Sequence, residues 1–141
     1  MSGWPVGWAR GYAGIPYRDG GRDRTGCDCW GLIRLVYAEV LGAALPDYTY
    51  ATAEDRAEVL GLIDGDRRRL WREVPQAEAV AGDVALLRYA DGTPGHMGVM
   101  VDAKTMLHVH RGIDATVTPL RRRYLGVVWQ ERMEAVGRWQ G

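Results

Sequence analysis

Phenylalanine is absent from this 141-residue chain, so its aromatic bulk falls to six tryptophans and seven tyrosines. Their ring N–H and O–H groups need partners wherever they are buried. Cysteine is scarce. The two present, Cys27 and Cys29, are separated by one residue, and a disulfide between them would close a small, strained ring, which excludes a structural staple. Net charge is missing as well: 18 basic side chains balance 18 acidic ones. That argues against wrapping nucleic acid, and no nucleic-acid partner is expected. No apolar run reaches membrane-spanning length, so no membrane insertion is expected. Met1-Ser2-Gly3-Trp4-Pro5 lacks the charged-then-apolar pattern of a secretory leader. Synthesis in the cytoplasm is the expectation, with something else carrying the chain to any site of action outside. Internal repeats, low-complexity stretches and interior linkers are lacking too, so residues 1–141 read as one domain.

What is present divides into a helical half and a β-rich half. Residues 4–12 suit a short helix with Pro5 in its first turn. Residues 14–26, punctuated by glycine and Pro16, read as loop. A helix from Cys29 to about Leu41-Gly42 places Leu32, Ile33, Val36 and Val40 on the side of Cys29, with Tyr37 at the margin. Thr52-Ala53-Glu54-Asp55 reads as a capping box opening a second helix to about Ile63. Strands are expected over residues 71–74, 84–89, 96–101, 106–111, 117–120 and 124–130. Helices first and strands afterwards give an α+β domain, with N-terminal helices packed on an antiparallel sheet of about five to six strands.

Cys29 falls in the first turn of its helix, where unpaired N–H groups and the positive dipole end favour a thiolate. A thiol nucleophile needs a base, and the base needs a third group to orient it. All three histidines, His96, His108 and His110, lie in the β half. His108 and His110 share one strand face, and His96 shares a face with Gly98. Register decides whether these faces coincide. A two-residue turn at Ala103-Lys104 pairs Val99 with His108 and separates the histidines, whereas a three-residue turn pairs Gly98 with His108 and unites them. A catalytic reading therefore predicts the odd-length turn.

Pro16-Tyr17-Arg18-Asp19-Gly20-Gly21, followed by Gly26-Cys27-Asp28-Cys29-Trp30-Gly31-Leu32, resembles the signature of the NlpC/P60 cysteine peptidases. Gly82-Asp83, His96-Met97-Gly98-Val99 and Met106-Leu107-His108 follow in the family's order. The resemblance covers residues 4–110; residues 111–141 are left as terminal strands and a possible docking segment. It implies a papain-like α+β fold and a peptidoglycan endopeptidase, commonly cutting stem peptides between D-glutamate and a diamino acid, with no cofactor. By the same resemblance Cys29 is the nucleophile, His96 the general base and acid, and His108 the orienting residue, with His110 as its rival. Tyr17 matches a tyrosine that reaches the thiol and helps hold the oxyanion. Asp28 matches the aspartate before the nucleophile, a helix N-cap and a contact for a substrate amine. Many secreted members carry Ser after the nucleophile and Trp where this chain has Asp19, so the pocket differs in polarity.

Trp30, with Leu45-Pro46-Asp47-Tyr48, is more similar to the branch found in phage tails and gene-transfer-agent particles. That implies carriage in a particle tail and action in the periplasm or cell wall. Arg121 to Arg123 and residues 124–141, with Trp129 and Trp139, are candidates for docking on tail hub or baseplate proteins. Two other readings compete: a metal-binding module using Cys27, Cys29, His108 and His110, and a catalytically silent domain serving as a structural tail component.

Overall fold

The computed structural model describes residues 3–48, 50, 52 and 55–141. Helix α1 (Cys29–Leu41) starts where the Asp28 carboxylate accepts the Gly31 N–H. It ends where Gly42 turns left-handed at φ 64 and the N–H groups of Gly42 and Ala43 cap the Ala38 and Tyr37 carbonyls. Between these caps, Leu32, Ile33, Val36 and Tyr37 are buried, the face given by their spacing.

Helix α1 is preceded by a two-strand ribbon, β1 (Arg22–Asp23) with β2 (Gly26–Cys27), inside the stretch expected to be loop. The expected N-terminal helix shortens to a 3-10 turn over Trp8–Tyr12. Helix α2 (Arg56–Leu70) runs a turn and more beyond its expected end at Ile63. Gly61 and Gly65 have nothing within 4 Å of where a Cβ would stand, so each costs the helix only its intrinsic propensity, about 1 kcal/mol. The expected capping box is not seen as such. Asp55 Oδ1 accepts the Glu58 N–H at 3.1 Å and caps the helix itself, while Ala53 and Glu54 lie outside the described residues.

Six strands follow: β3 (Trp71–Val74), β4 (Val84–Arg88), β5 (Pro94–Asp102), β6 (Thr105–His110), β7 (Ile113–Pro119) and β8 (Met133–Trp139). They form one antiparallel sheet in the order β3-β8-β4-β5-β6-β7. The strand expected over 124–130 is not there. Tyr124 and Val127 exchange backbone hydrogen bonds across Leu125 (φ 48) and Gly126 (φ 81), a tight turn. A 3-10 turn over Trp129–Arg132 then leads into β8, which inserts between β3 and β4.

The sheet has two apolar faces. On one, α1 packs through Trp30, Ile33 and Tyr37 on Val84, Leu86, Met97 and Val99, and through Leu32 and Val36 on Leu107, Val109 and Ala115. On the other, Ala85, Leu87, Met100, Met106, Leu120 and Val136 surround Trp129. Tyr37 stands in for the missing phenylalanine, its ring edge-on to Trp4, Trp71 and Trp139 at 5.5–5.9 Å and its hydroxyl donating to the Gly82 carbonyl. Trp129 is 2 % exposed and so is not available for docking as the sequence suggested, while Trp139 packs partly buried against the α1 cluster. Among the described residues no helix is long and apolar enough to cross a membrane.

Candidate active site

The α1 N-terminus is fixed by Asp28, which is fully buried. Its Oδ1 accepts from Gly31 N–H and Arg22 Nη1, both at 2.8 Å, and its Oδ2 from Gly20 N–H at 3.1 Å and from the Tyr50 hydroxyl. With both oxygens engaged inside the protein, the expected N-cap is present, and no oxygen is left for a substrate amine. Arg22 also reaches Asp47 at 3.0 Å, so one guanidinium ties the loop, the helix start and the segment after α1.

Cys29 follows as the first residue of α1, half-buried, its sulfur facing the backbone N–H groups of Met97 and Trp30. These donors favour a thiolate, as the helix position predicts. Burial and the neighbouring Asp28 charge outweigh them and push the thiol up to about 12. Tyr17 is brought beside the helix start by a backbone bridge to Cys27, with Arg111 over its ring at 5.4 Å. Burial and the charges of Asp19 and Cys29 hold its hydroxyl protonated to about 12, a donor at any physiological pH. The Cys27 thiol turns away to donate to the Asp23 carbonyl. Among the described residues no group of three or more histidine, cysteine or acidic side chains converges as metal ligands would, so the proposed Cys27, Cys29, His108 and His110 set does not assemble.

The histidines are brought together by an unexpected route. The β5–β6 tip is the two-residue turn Ala103-Lys104, the even length that separates them if the ladder continues unbroken. The ladder is broken: Asp102 pairs with Thr105, but Met100 pairs with Met106 and Val99 with Leu107, leaving Val101 as an unpaired extra residue. This bulge shifts the register by one and turns His96 and His108 onto the same side. Gly98 makes their approach possible, since a Cβ there would lie 2.9 Å from Met106 Sδ and 3.3 Å from His108 Cβ.

His96 Nε2 and His108 Nδ1 are 2.9 Å apart, and His108 Nε2 is 3.1 Å from Thr118 Oγ1. His110 instead turns Nδ1 to the Arg111 carbonyl, so His108 is the partner of His96. Trp129 packs at 4.8 Å from the His96 ring and 5.2 Å from that of His108, with Tyr89 at 6.3 Å from His96. Both imidazoles are 1 % exposed. Among the described residues the hydrogen bonds of His96 end on His108 and none reaches Cys29. Among the described residues His96 Nδ1 makes no hydrogen bond. The amide that faces the sulfur belongs to Met97, one residue along β5 from His96.

Burial, then the neighbouring His108 and His110, hold His96 well below the ordinary imidazole range, and burial holds His108 to about 4. A histidine whose folded pKa lies below its unfolded value stabilises the fold only while neutral. Stability is therefore expected to be full above about pH 6.5 and to decline toward pH 4, measured by thermal unfolding across that window. Carboxylates held down by arginine, such as Asp47 beside Arg22, titrate lower still. In activity, His108→Ala is expected to lower kcat by roughly a hundredfold and His110→Ala by less than tenfold. Equal losses would break the assignment of His108.

Sequence reasoning missed Thr118, Trp129, Arg22 and Tyr50. The signal for Thr118 was the polar alternation Asp114, Thr116, Thr118 along β7, beside the strand that carries His108. Nothing local marks Tyr50, whose role comes from the loop after α1 folding back.

A family model described as the NlpC/P60 family matches residues 14–138. The chain is 23 % identical over 121 residues to the murein DD-endopeptidase MepS/murein LD-carboxypeptidase of Escherichia coli K12, covering 86 % of this chain and 54 % of that protein. It is 30 % identical over 123 residues to the peptidoglycan endopeptidase RipB of Mycobacterium tuberculosis, covering 85 % and 44 %. The chain thus spans about half the length of these curated relatives. Among solved structures, the NlpC/p60 domain of the peptidoglycan hydrolase SagA superposes with a TM-score of 0.62 at 22 % identity, covering 93 % of this chain and 92 % of that one. An NlpC/P60 family protein of Bacillus cereus superposes at 0.65 with 17 % identity, covering 94 % and 38 %.

Proposed function

Since the chain belongs to the NlpC/P60 family, we propose that it is a cysteine peptidase that hydrolyses stem-peptide amide bonds in peptidoglycan. The observation that carries this is the buried His96–His108 pair, Nε2 to Nδ1 at 2.9 Å, on the same strand whose Met97 amide faces the Cys29 sulfur.

Thiol and imidazole each rest neutral, because burial disfavours both charged forms. His96 Nδ1 takes the thiol proton as the sulfur attacks the amide carbonyl, so charge separates only in the transition state. Backbone N–H groups at the α1 start and the protonated Tyr17 hydroxyl stand ready for the oxyanion. Imidazolium His96 then gives its proton to the departing amine, leaving a thioester on Cys29. Water, activated by His96, hydrolyses the thioester and restores the thiol.

The bond between D-glutamate and a diamino acid is the proposed cut. The two curated relatives, named as a murein DD-endopeptidase and a peptidoglycan endopeptidase, support the polymer as substrate. Mass spectrometry of products from purified peptidoglycan tests the bond: a new amine on the diamino acid is expected, and cleavage at D-alanine alone would move the site elsewhere in the stem.

Carriage in a phage-like tail belongs to the same proposal. Its support is the Trp30 and Leu45 to Tyr48 resemblance, residues that form one packed unit in which the Trp30 and Tyr48 rings stack at 5.0 Å and Trp30 Nε1 donates to the Pro46 carbonyl at 3.0 Å. Proteomics of purified particles is expected to find the chain; particles lacking it would refute this part alone.

A further inference from the structure

We propose that Thr118 is a positioning residue of the reaction, the hydrogen-bond acceptor that lets His96 become an imidazolium. The inference rests on the reading of His96 as general base. Once His96 holds a proton on Nδ1, its Nε2–H must donate to His108 Nδ1 across their 2.9 Å contact. That forces His108 into the Nε2–H form, and an N–H in a site 1 % exposed to solvent needs an acceptor. Thr118 Oγ1, 3.1 Å away, is that acceptor. Among the described residues its hydroxyl has no other hydrogen-bond partner, and Thr118 itself is 6 % exposed, so water has little room to substitute.

The requirement is specific to the charged state. While His96 is neutral the chain of bonds can also run the other way, from the Thr118 hydroxyl to His108 Nε2 and from His108 Nδ1–H to His96 Nε2. That direction puts a proton on His96 Nδ1 and leaves nothing there to receive the thiol proton. Thr118 therefore acts on the barrier and not on substrate binding.

The test compares Thr118→Val, which keeps the shape and loses the acceptor, with Thr118→Ser, which keeps it. Valine is expected to lower kcat roughly tenfold to a hundredfold with KM within about twofold, and serine to restore kcat to within about threefold of wild type. Long-range 1H–15N spectra of the wild type add a readout independent of turnover: the His108 proton is expected on Nε2. A Thr118→Val enzyme with wild-type kcat, or a His108 proton resident on Nδ1 in active wild type, would overturn the inference. Both leave the peptidase reading intact, which falls only if Cys29→Ala still cleaves. Should valine fail to fold, the serine variant and the wild-type spectra decide.

Discussion

Cys29→Ala is expected to abolish clearing of purified peptidoglycan, and Cys29→Ser to leave at most about a thousandth of the wild-type rate. Neither change should unfold the chain, because the site is small, half-buried and outside the helix caps. The alanine variant should therefore keep its Tm within a few degrees while losing turnover. Retained clearing would remove the thiol from the mechanism. The same site yields a reactivity test that separates two kinds of thiol enzyme. A preformed thiolate alkylates quickly near neutral pH, whereas a thiol pushed up to about 12 by burial does not. Iodoacetamide is expected to label the resting protein slowly at pH 8, with Cys27, buried and raised to about 11, slower still. Rapid labelling at Cys29 would show that sulfur and imidazole already share the proton as an ion pair before substrate arrives.

The second large effect concerns the joint that aims the sulfur. Gly31 lies in the first turn of α1 with the Gly21 carbonyl oxygen 1.9 Å from where a Cβ would stand, and Arg22 Nη1 at 3.1 Å. Neither neighbour is free to retreat. Gly21 belongs to the loop whose Gly20 N–H binds Asp28, and Arg22 Nη1 bonds both Gly21 O at 2.9 Å and Asp28. Gly31→Ala is expected to cost about 3 kcal/mol or more, at the upper end for overpacking, read as a lowered denaturation midpoint. Activity should fall in parallel, since separating the loop from α1 moves Cys29. Gly61→Ala and Gly65→Ala, in α2 with nothing within 4 Å, serve as controls and are expected to stabilise by up to about 1 kcal/mol. A benign Gly31→Ala would mean that the loop and α1 are not in contact in solution.

Much of this was legible before any coordinates. The α1 boundaries came from Asp28, the apolar spacing and Gly42, all local signals, and the α+β order came from where periodicity changes from helical to alternating. The three histidines were identified from the needs of a thiol nucleophile. What failed was set at longer range. Trp129 and Trp139 looked like unspent surface rings because β8, which carries Trp139 and follows the turn that carries Trp129, enters the sheet between β3 and β4, a placement no local pattern encodes. The hairpin turn was predicted odd and is even, since the one-residue correction lies in a bulge at Val101 and not at the tip. The polar alternation along β7 could not single out Thr118 for the same reason: its meaning depends on which residue of β6 it meets.

Val101 acts as a phase shifter between the tip of the hairpin and the imidazoles. Loops grafted at Ala103-Lys104 that add an even number of residues can extend the ladder outward and leave the inner half in step. An odd graft puts tip and inner half in conflict, which the chain can resolve by flattening the kink at Val101. The tip is thus the place where this protein can accept an insertion, and its tolerance will alternate with the parity of the inserted length.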